Sequence, residues 1–194
     1  EQRELLSKKF AYTYLVFDCD VHHPKKEDIR CIEEIIADNF SKLREMAEYF
    51  VDETDPSVGK LYINYPMMES YRDCDDFFDE NYKSTMVSLP AILSYKKDVG
   101  KRKLSRVRVD SYTEKQFSLL VLQNIYKLNV ILTDTWSKLS YEEYLIQSSA
   151  KRILLAEQDI AKRSKMLSVI NTSIFILSDY FGNRDGFYDK LKIT

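Results

Sequence analysis

The chain has 194 residues, a formal net charge of −2, and 44% hydrophobic and 31% charged side chains. This composition is typical of a folded domain and excludes an intrinsically disordered chain. The sequence has no apolar run of the roughly 18 residues needed to span a membrane, and its three cysteines follow no disulfide or zinc-binding pattern, so we expect a cytoplasmic protein without a membrane partner.

The first predicted element is a buried strand. Residues 10–17, FAYTYLVF, form an apolar and β-branched run that ends abruptly in the polar sequence DCDVHHP. Such a run followed by polar residues predicts a strand with a loop at its carboxyl end. In α/β proteins, the loops beyond the carboxyl ends of parallel strands form the ligand crevice. The loop that begins at Asp18 is therefore the first candidate site.

A long helix and a second strand follow. Over residues 26–53, apolar side chains recur at intervals of three and four, from Ile29 to Phe50, which predicts one buried helix face. Residues 60–65, KLYINY, form a second strand candidate that Pro66 ends. The order strand, helix, strand favours a parallel crossover, in which both strands end at the same edge of the sheet.

The rest of the chain is predicted to be mostly helical. Helical length and apolar content mark three segments, residues 113–136, 141–161 and 163–181. Gly182 is well suited to end the last of these helices. We therefore expect an α/β protein in two parts, with an α/β domain over residues 1–95 and a helical region over residues 96–194.

Two aspartates and two histidines follow the first strand. Asp18 and Asp20 stand two positions apart and place hard oxygen ligands close together, which suits Mg²⁺ or Mn²⁺. His22 and His23 are the chain's two histidines, and either could serve as a general acid/base or as a phosphate contact. The alternative is a surface turn rich in aspartate, with a histidine capping the next helix. The abrupt change from buried to acidic residues favours the metal site.

Glu69 follows the second predicted strand, in the sequence YPMMES. In a parallel sheet it would lie at the same edge as Asp18 and Asp20, as a further metal ligand or as a group that orients one. The alternative is a glutamate in the first turn of a helix, where the helix dipole stabilises its charge. The acidic residues from Asp73 to Glu80 are predicted to form a solvated face, with a metal role as the alternative.

A basic segment interrupts this otherwise near-neutral chain. It has the sequence KKDVGKRKLSRVR and covers residues 96–108. Such a cluster could bind the phosphate backbone of a nucleic acid, or it could be a solvated loop between helices. The candidate nucleic-acid contacts are Lys101, Arg102, Lys103, Arg106 and Arg108.

The sequence YLVFDCDVHHP, the long helix after it and the sequence GKLYINYPMMES together resemble the DxD half of a Toprim domain. Toprim is the metal-binding fold of topoisomerases, primases and the overcoming-lysogenization-defect nucleases. The similarity covers about residues 10–75. It is strongest to a loose group of bacterial Toprim-like proteins, several of which work in phage defence beside an ATPase.

The resemblance implies a Toprim-like parallel sheet with flanking helices and a Mg²⁺-dependent nuclease that acts on DNA or RNA. Asp18 and Asp20 would be metal ligands, an ATPase would be a partner protein, and the chain could form an oligomer. The family also uses a glutamate at the end of an earlier strand, and no glutamate follows a strand before Asp18 here. That ligand is absent, lies upstream or is replaced from elsewhere, with Glu69 as the candidate replacement.

The nuclease hypothesis assigns catalytic roles to Asp18, Asp20, His22 and Glu69. Two other functions stay open. Haloacid-dehalogenase-type phosphatases also carry a strand followed by DxD, and there Asp18 would attack the phosphate while Asp20 acts as acid/base. A non-catalytic module derived from a Toprim domain would instead dock through its helices to a partner such as an ATPase. The aromatic side chains of the C-terminal half favour this last function.

Overall fold

A computed structural model describes residues 13–19, 31–50, 59–182 and 184–193. Strand β1 spans Tyr14–Asp18 and strand β2 spans Lys60–Asn64. The two strands pair in parallel, with Tyr14 opposite Lys60 and Asp18 opposite Asn64. The predicted parallel pairing is therefore confirmed, and both strands end at one edge of the sheet. Every residue of β2 is buried, whereas Val16 and Phe17 of β1 are exposed, so the prediction of a buried first strand is wrong for these two residues.

Helix α1, Ile32–Tyr49, lies between the two strands in the chain and within the predicted range of 26–53. Its buried side chains are the apolar ones at helical spacing, namely Ile36, Phe40, Leu43 and Ala47. Two glutamates, Glu33 and Glu34, occupy the first turn, where the free N–H groups of the helix carry partial positive charge. Residues 26–30 and 51–53 of the predicted helix lie outside the described residues.

After β2, the chain runs mainly in short 3-10 turns. They span Met68–Arg72, Glu80–Ser84, Leu89–Ser94, Leu104–Arg106 and Val109–Ser111. Strand β3, Met86–Ser88, and helix α2, Tyr95–Val99, lie among these turns. Side chains stabilise some of the turns locally, as where the Asp79 carboxylate accepts a hydrogen bond from the backbone N–H of Asn81.

Helix α3, Glu114–Thr133, confirms the helix predicted over residues 113–136. It begins with a capping box, in which the side chains of Thr113 and Gln116 each accept a hydrogen bond from the other's backbone N–H. Nearly every side chain from Leu120 to Asn129 is buried. The helix is thus buried on all sides, and its buried polar side chains form hydrogen bonds inside the fold, namely Gln123, Asn124, Lys127 and Asn129.

The helix predicted over residues 141–161 is two helices. Helix α4 spans Tyr141–Gln147 and helix α5 spans Ala150–Ser164. The break falls at Ser149, whose side chain accepts a hydrogen bond from the backbone of Arg152 and so caps the start of α5.

The prediction of one continuous helix over residues 163–181 is wrong. Lys165 adopts a left-handed conformation that ends α5, and Met166–Ser168 forms strand β4, antiparallel to β3. Helix α6 is shorter than predicted, at Phe175–Phe181, although it does end at Gly182. A final short helix, α7, spans Phe187–Lys190.

The segment around β4 links the two halves of the chain. The backbones of Tyr65 and Ile170 exchange two hydrogen bonds of 2.9 Å, so the residues after β4 lie against the end of β2. Leu167 and Ile63 belong to one hydrophobic core. The fold is thus mixed α/β. The predicted division at residue 96 stays a prediction, and both strand pairing and core packing cross it.

Glu157 of α5 is a fully buried carboxylate. One of its oxygens accepts a 2.9 Å hydrogen bond from the backbone N–H of Ser168. The other oxygen has no hydrogen-bond partner among the described residues. Burial raises the pKa of Glu157 from its ordinary 4.5 to about 7, although the Ser168 hydrogen bond and the charge of Lys127 oppose the increase.

We expect Glu157 to make the folded state less stable as the pH rises from about 4.5 to about 7. The folded state keeps this proton up to about pH 7, whereas the unfolded chain releases it near 4.5, so stability falls across that window. The glutamine variant has no such proton to lose. The free energy of unfolding of Glu157→Gln minus that of wild type should therefore be about 3 kcal/mol larger at the upper end of this pH window than at the lower end.

Urea unfolding followed by circular dichroism at both pH values measures this difference. The exposed Glu142 on α4 offers the control variant Glu142→Gln, for which the difference from wild type should stay nearly constant. A pH-independent difference for Glu157→Gln would contradict the prediction.

Candidate functional site

A hydrogen-bonded pair of polar side chains stands where β1 and β2 end. Asn64 donates from Nδ2 to Oδ1 of Asp18 over 3.1 Å. The Oδ1 of Asn64 accepts a 3.0 Å hydrogen bond from the backbone N–H of Ser173. Because a backbone N–H can only donate, this second bond determines which end of the Asn64 amide faces Asp18. Asn64 is fully buried, whereas Asp18 keeps contact with solvent.

The loop after β4 lies at the same edge. Asn171 donates from Nδ2 to the carbonyl oxygen of Met68 over 2.7 Å. Its Oδ1 accepts hydrogen bonds from the hydroxyl of Ser173 and from the backbone N–H of Ile174. Sequence reasoning missed this loop because it assigned the segment to a helix. The signal was the small polar run Asn171-Thr172-Ser173 between two apolar stretches, a pattern typical of loops.

Glu69 lies in the 3-10 turn that follows β2 and forms an ion pair with Lys96 of α2. The distance between Oε1 of Glu69 and Nζ of Lys96 is 2.6 Å. Partial burial pushes the pKa of Glu69 upward, but the hydrogen bond and the charge of Lys96 outweigh burial and leave that pKa lowered. Glu69 is therefore ionised at neutral pH and carries an ammonium partner.

Lys96 and Arg72 are the cations that act electrostatically on Glu69. The pKa of Lys96 is raised chiefly by Glu69 and, to a smaller extent, by the charge of Asp18. Asp18 and Glu69 are thus both within electrostatic range of one ammonium group. Arg72, at the end of the same turn, acts on the charges of Glu69 and Lys96, and its guanidinium lies 5.4 Å from the centre of the Tyr71 ring.

The predicted site residues Asp20, His22 and His23 lie outside the described residues, so their roles stay predictions. The described chain reaches the position before Asp20. There the backbone N–H of Cys19 donates a 2.9 Å hydrogen bond to the carbonyl oxygen of Asn64.

The side chains at this edge include carboxylates, which are the ligands that a divalent cation such as Mg²⁺ prefers. Within residues 13–19, 31–50, 59–182 and 184–193, no three Asp, Glu, His or Cys side chains are grouped to hold a metal ion. Mg²⁺ commonly binds through only one or two carboxylates, with waters and substrate phosphates as its other ligands. Asp18 and Glu69 fit that requirement in the type of ligand that they provide. Asp20 is the predicted third ligand.

Most of the predicted nucleic-acid contacts pair with neighbouring carboxylates. The ion pairs are Lys101–Asp98 at 2.6 Å, Arg102–Asp73 at 2.8 Å and Arg108–Asp110 at 2.5 Å. Lys103 and Arg106 form no ion pair within the part of the chain that the structure describes, so their charges are available to a partner.

The acidic run after β2 is a solvated face only in part. Asp75, Asp76 and Glu80 are exposed, in agreement with the prediction. Asp73 is buried. Its carboxylate pairs with Arg102 and accepts a 3.1 Å hydrogen bond from the hydroxyl of Tyr95. For Asp73, the prediction of a solvated position is therefore wrong, because its charge is neutralised inside the fold.

Comparison of the chain with protein-family models, with curated proteins and with solved structures finds no match. Among the described helices, none combines the length and the apolar character required to cross a membrane.

Proposed function

We propose that this protein is a Mg²⁺- or Mn²⁺-dependent nuclease with a Toprim-like domain. The observation that carries the proposal is that Asp18 ends β1 at the sheet edge where β2 also ends, while Glu69, in the turn that follows β2, forms a 2.6 Å ion pair with Lys96. Carboxylates beside cations suit phosphodiester cleavage, because carboxylate oxygens hold a metal ion while cations contact the phosphate. The parallel strand–helix–strand unit that ends in acidic residues supports a Toprim-like domain.

Each residue of the site has a proposed role. Asp18, Asp20 and Glu69 would hold the metal, and buried Asn64 orients the Asp18 carboxylate through its Nδ2. A bound divalent cation would activate a water molecule and stabilise the leaving oxygen. His22 is proposed as the general acid/base that assists proton transfer.

Cations without a carboxylate partner are proposed to hold the nucleic acid. Lys103 and Arg106 form no ion pair within the described residues. Neutralising backbone phosphates releases counterions and drives binding, so these two side chains should contribute most. Lys101, Arg102 and Arg108 would first have to leave their carboxylates, which reduces what they contribute.

Metal-dependent cleavage tests the proposed function. Purified protein is incubated with single- and double-stranded DNA and RNA in Mg²⁺ or Mn²⁺, and in EDTA as the control. We expect cleavage of at least one substrate with metal and none in EDTA, and weaker substrate binding at higher salt concentration. The absence of cleavage for all four substrates in both metals, by protein that is folded by circular dichroism, would refute the nuclease.

One observation favours a second candidate, a non-catalytic Toprim-derived module. Ion pairs within the chain already neutralise Glu69 and three of the five predicted nucleic-acid contacts. Such a module would dock to an ATPase, which we propose as a partner protein in bacterial anti-phage defence. Stable co-purification with an ATPase, together with no heat of Mn²⁺ binding in calorimetry, would favour the module over the nuclease.

A further inference from the structure

The ion pair at the candidate site joins a covered carboxylate to an exposed ammonium. The Glu69 side chain is only 14% exposed, whereas the Lys96 side chain is 77% exposed. Glu69 is therefore held in place by the protein around it. Lys96 is held mainly by the ion pair itself, and its flexible four-carbon chain lets the ammonium move away.

We propose that Lys96 is a displaceable counter-ion, which neutralises Glu69 in the metal-free protein and moves to the substrate phosphate when a divalent cation takes that carboxylate. This inference rests on the proposed nuclease function, because it requires Glu69 to be a metal ligand. It adds a role for Lys96 that the sequence did not distinguish from the rest of the basic segment.

Charge explains why the ammonium has to move. Nζ of Lys96 lies 2.6 Å from Oε1 of Glu69, so it occupies a position from which a metal would bind that oxygen. A divalent cation and an ammonium repel each other at such short range. A metal that binds this oxygen therefore displaces the ammonium, and the affinity for metal is reduced by the stability of the ion pair.

Charge also indicates where the ammonium goes. Nζ of Lys96 contacts Glu69, one of the three carboxylates proposed to hold the metal, and Lys96 also feels the charge of Asp18 to a smaller extent. A phosphodiester that completes the coordination of the metal would bring negative charge to the same place. An ammonium released from Glu69 can then form a charge-assisted hydrogen bond with a phosphate oxygen.

The test measures metal affinity and cleavage in the same variants. Mn²⁺ is titrated by isothermal calorimetry into wild type, Lys96→Gln, Lys96→Arg and the control Lys97→Gln. Lys97 is the matched control because it is exposed on the same helix and forms no ion pair within the described residues. Cleavage by the same proteins is then measured at saturating Mn²⁺.

Lys96→Gln should bind Mn²⁺ about three- to tenfold more tightly than wild type, since the competing ammonium is gone. Its cleavage at saturating Mn²⁺ should fall by about tenfold, since the phosphate contact is gone. Lys96→Arg should keep the wild-type affinity for Mn²⁺, and Lys97→Gln should change neither quantity appreciably.

Three results would overturn the inference. An unchanged or weaker Mn²⁺ affinity in Lys96→Gln, with an active wild type, refutes the counter-ion while the nuclease stands. Tighter Mn²⁺ binding with undiminished cleavage refutes the transfer to phosphate. A wild type that binds no Mn²⁺ refutes the proposed function and this inference together.

Discussion

Replacing Asp18 with asparagine should reduce metal-dependent cleavage at least about 100-fold and leave the fold unchanged. Asparagine has the shape of aspartate and keeps an oxygen that can accept the hydrogen bond from Nδ2 of Asn64. What it loses is the negative charge, which a metal ligand needs. The variant therefore separates the role of Asp18 as a ligand from its contact with Asn64.

Two measurements make this prediction decisive. The cleavage rate is compared among wild type, Asp18→Asn and Asp159→Asn, whose aspartate is exposed on α5. Thermal unfolding by circular dichroism should coincide for all three proteins, and Asp159→Asn should cleave at the wild-type rate. If Asp18→Asn cleaves as fast as wild type, Asp18 is not a metal ligand.

The largest effect on stability is expected at Asp179 of α6. Its carboxylate lies 2.8 Å from Nζ of Lys60 and accepts hydrogen bonds from the hydroxyls of Tyr62 and Tyr144 at 2.5 and 2.9 Å. The side chains of Lys60 and Asp179 are only 8% and 7% exposed. A single carboxylate thus neutralises a buried ammonium and connects β2 to α4 and α6.

Asp179→Asn should lower the free energy of unfolding by about 3–5 kcal/mol, because it leaves the Lys60 ammonium buried without a counter-charge. That is a large part of the 5–15 kcal/mol roughly typical of a whole domain. Urea unfolding followed by circular dichroism measures the loss. Asp159→Asn should change stability by less than about 0.5 kcal/mol, as exposed substitutions do.

A double variant tests the physical reason for this loss. Lys60→Met combined with Asp179→Asn removes the ammonium that would be left without a counter-charge and keeps an amide oxygen that can accept from a tyrosine hydroxyl, so it should recover much of the stability that Asp179→Asn alone loses. A loss of under about 1 kcal/mol in Asp179→Asn would show that the ion pair contributes little.

The elements that the sequence predicts correctly are those with strong local patterns. The apolar run that forms β1, the helical stripe of α1 and the capped helix α3 each depend on neighbours in the chain. The parallel pairing of β1 and β2 also follows from their order, since a helix between two strands allows both to point the same way. That pairing also places Asp18 and the turn that contains Glu69 after strand ends at the same sheet edge.

The elements that the sequence misses depend on distant partners. Strand β4 has only three residues, which is too short to show an alternating pattern, and its pairing with β3 decides its conformation. The same holds for the partners of charged side chains. Nothing near Arg102 in the chain indicates that it pairs with Asp73 rather than with a nucleic acid.

The sequence by itself determined the mixed α/β class, the parallel β1–β2 pair and the positions of Asp18 and Glu69 near its carboxyl edge. Only the tertiary structure decided that Asn64 orients Asp18, that Ser173 orients Asn64 and that Lys96 neutralises Glu69. The physical reason is range. Hydrophobic periodicity is a local pattern that can be read from residues close together in the chain. Hydrogen bonds and ion pairs form between groups that the packed core brings together, and these groups can be far apart in the chain.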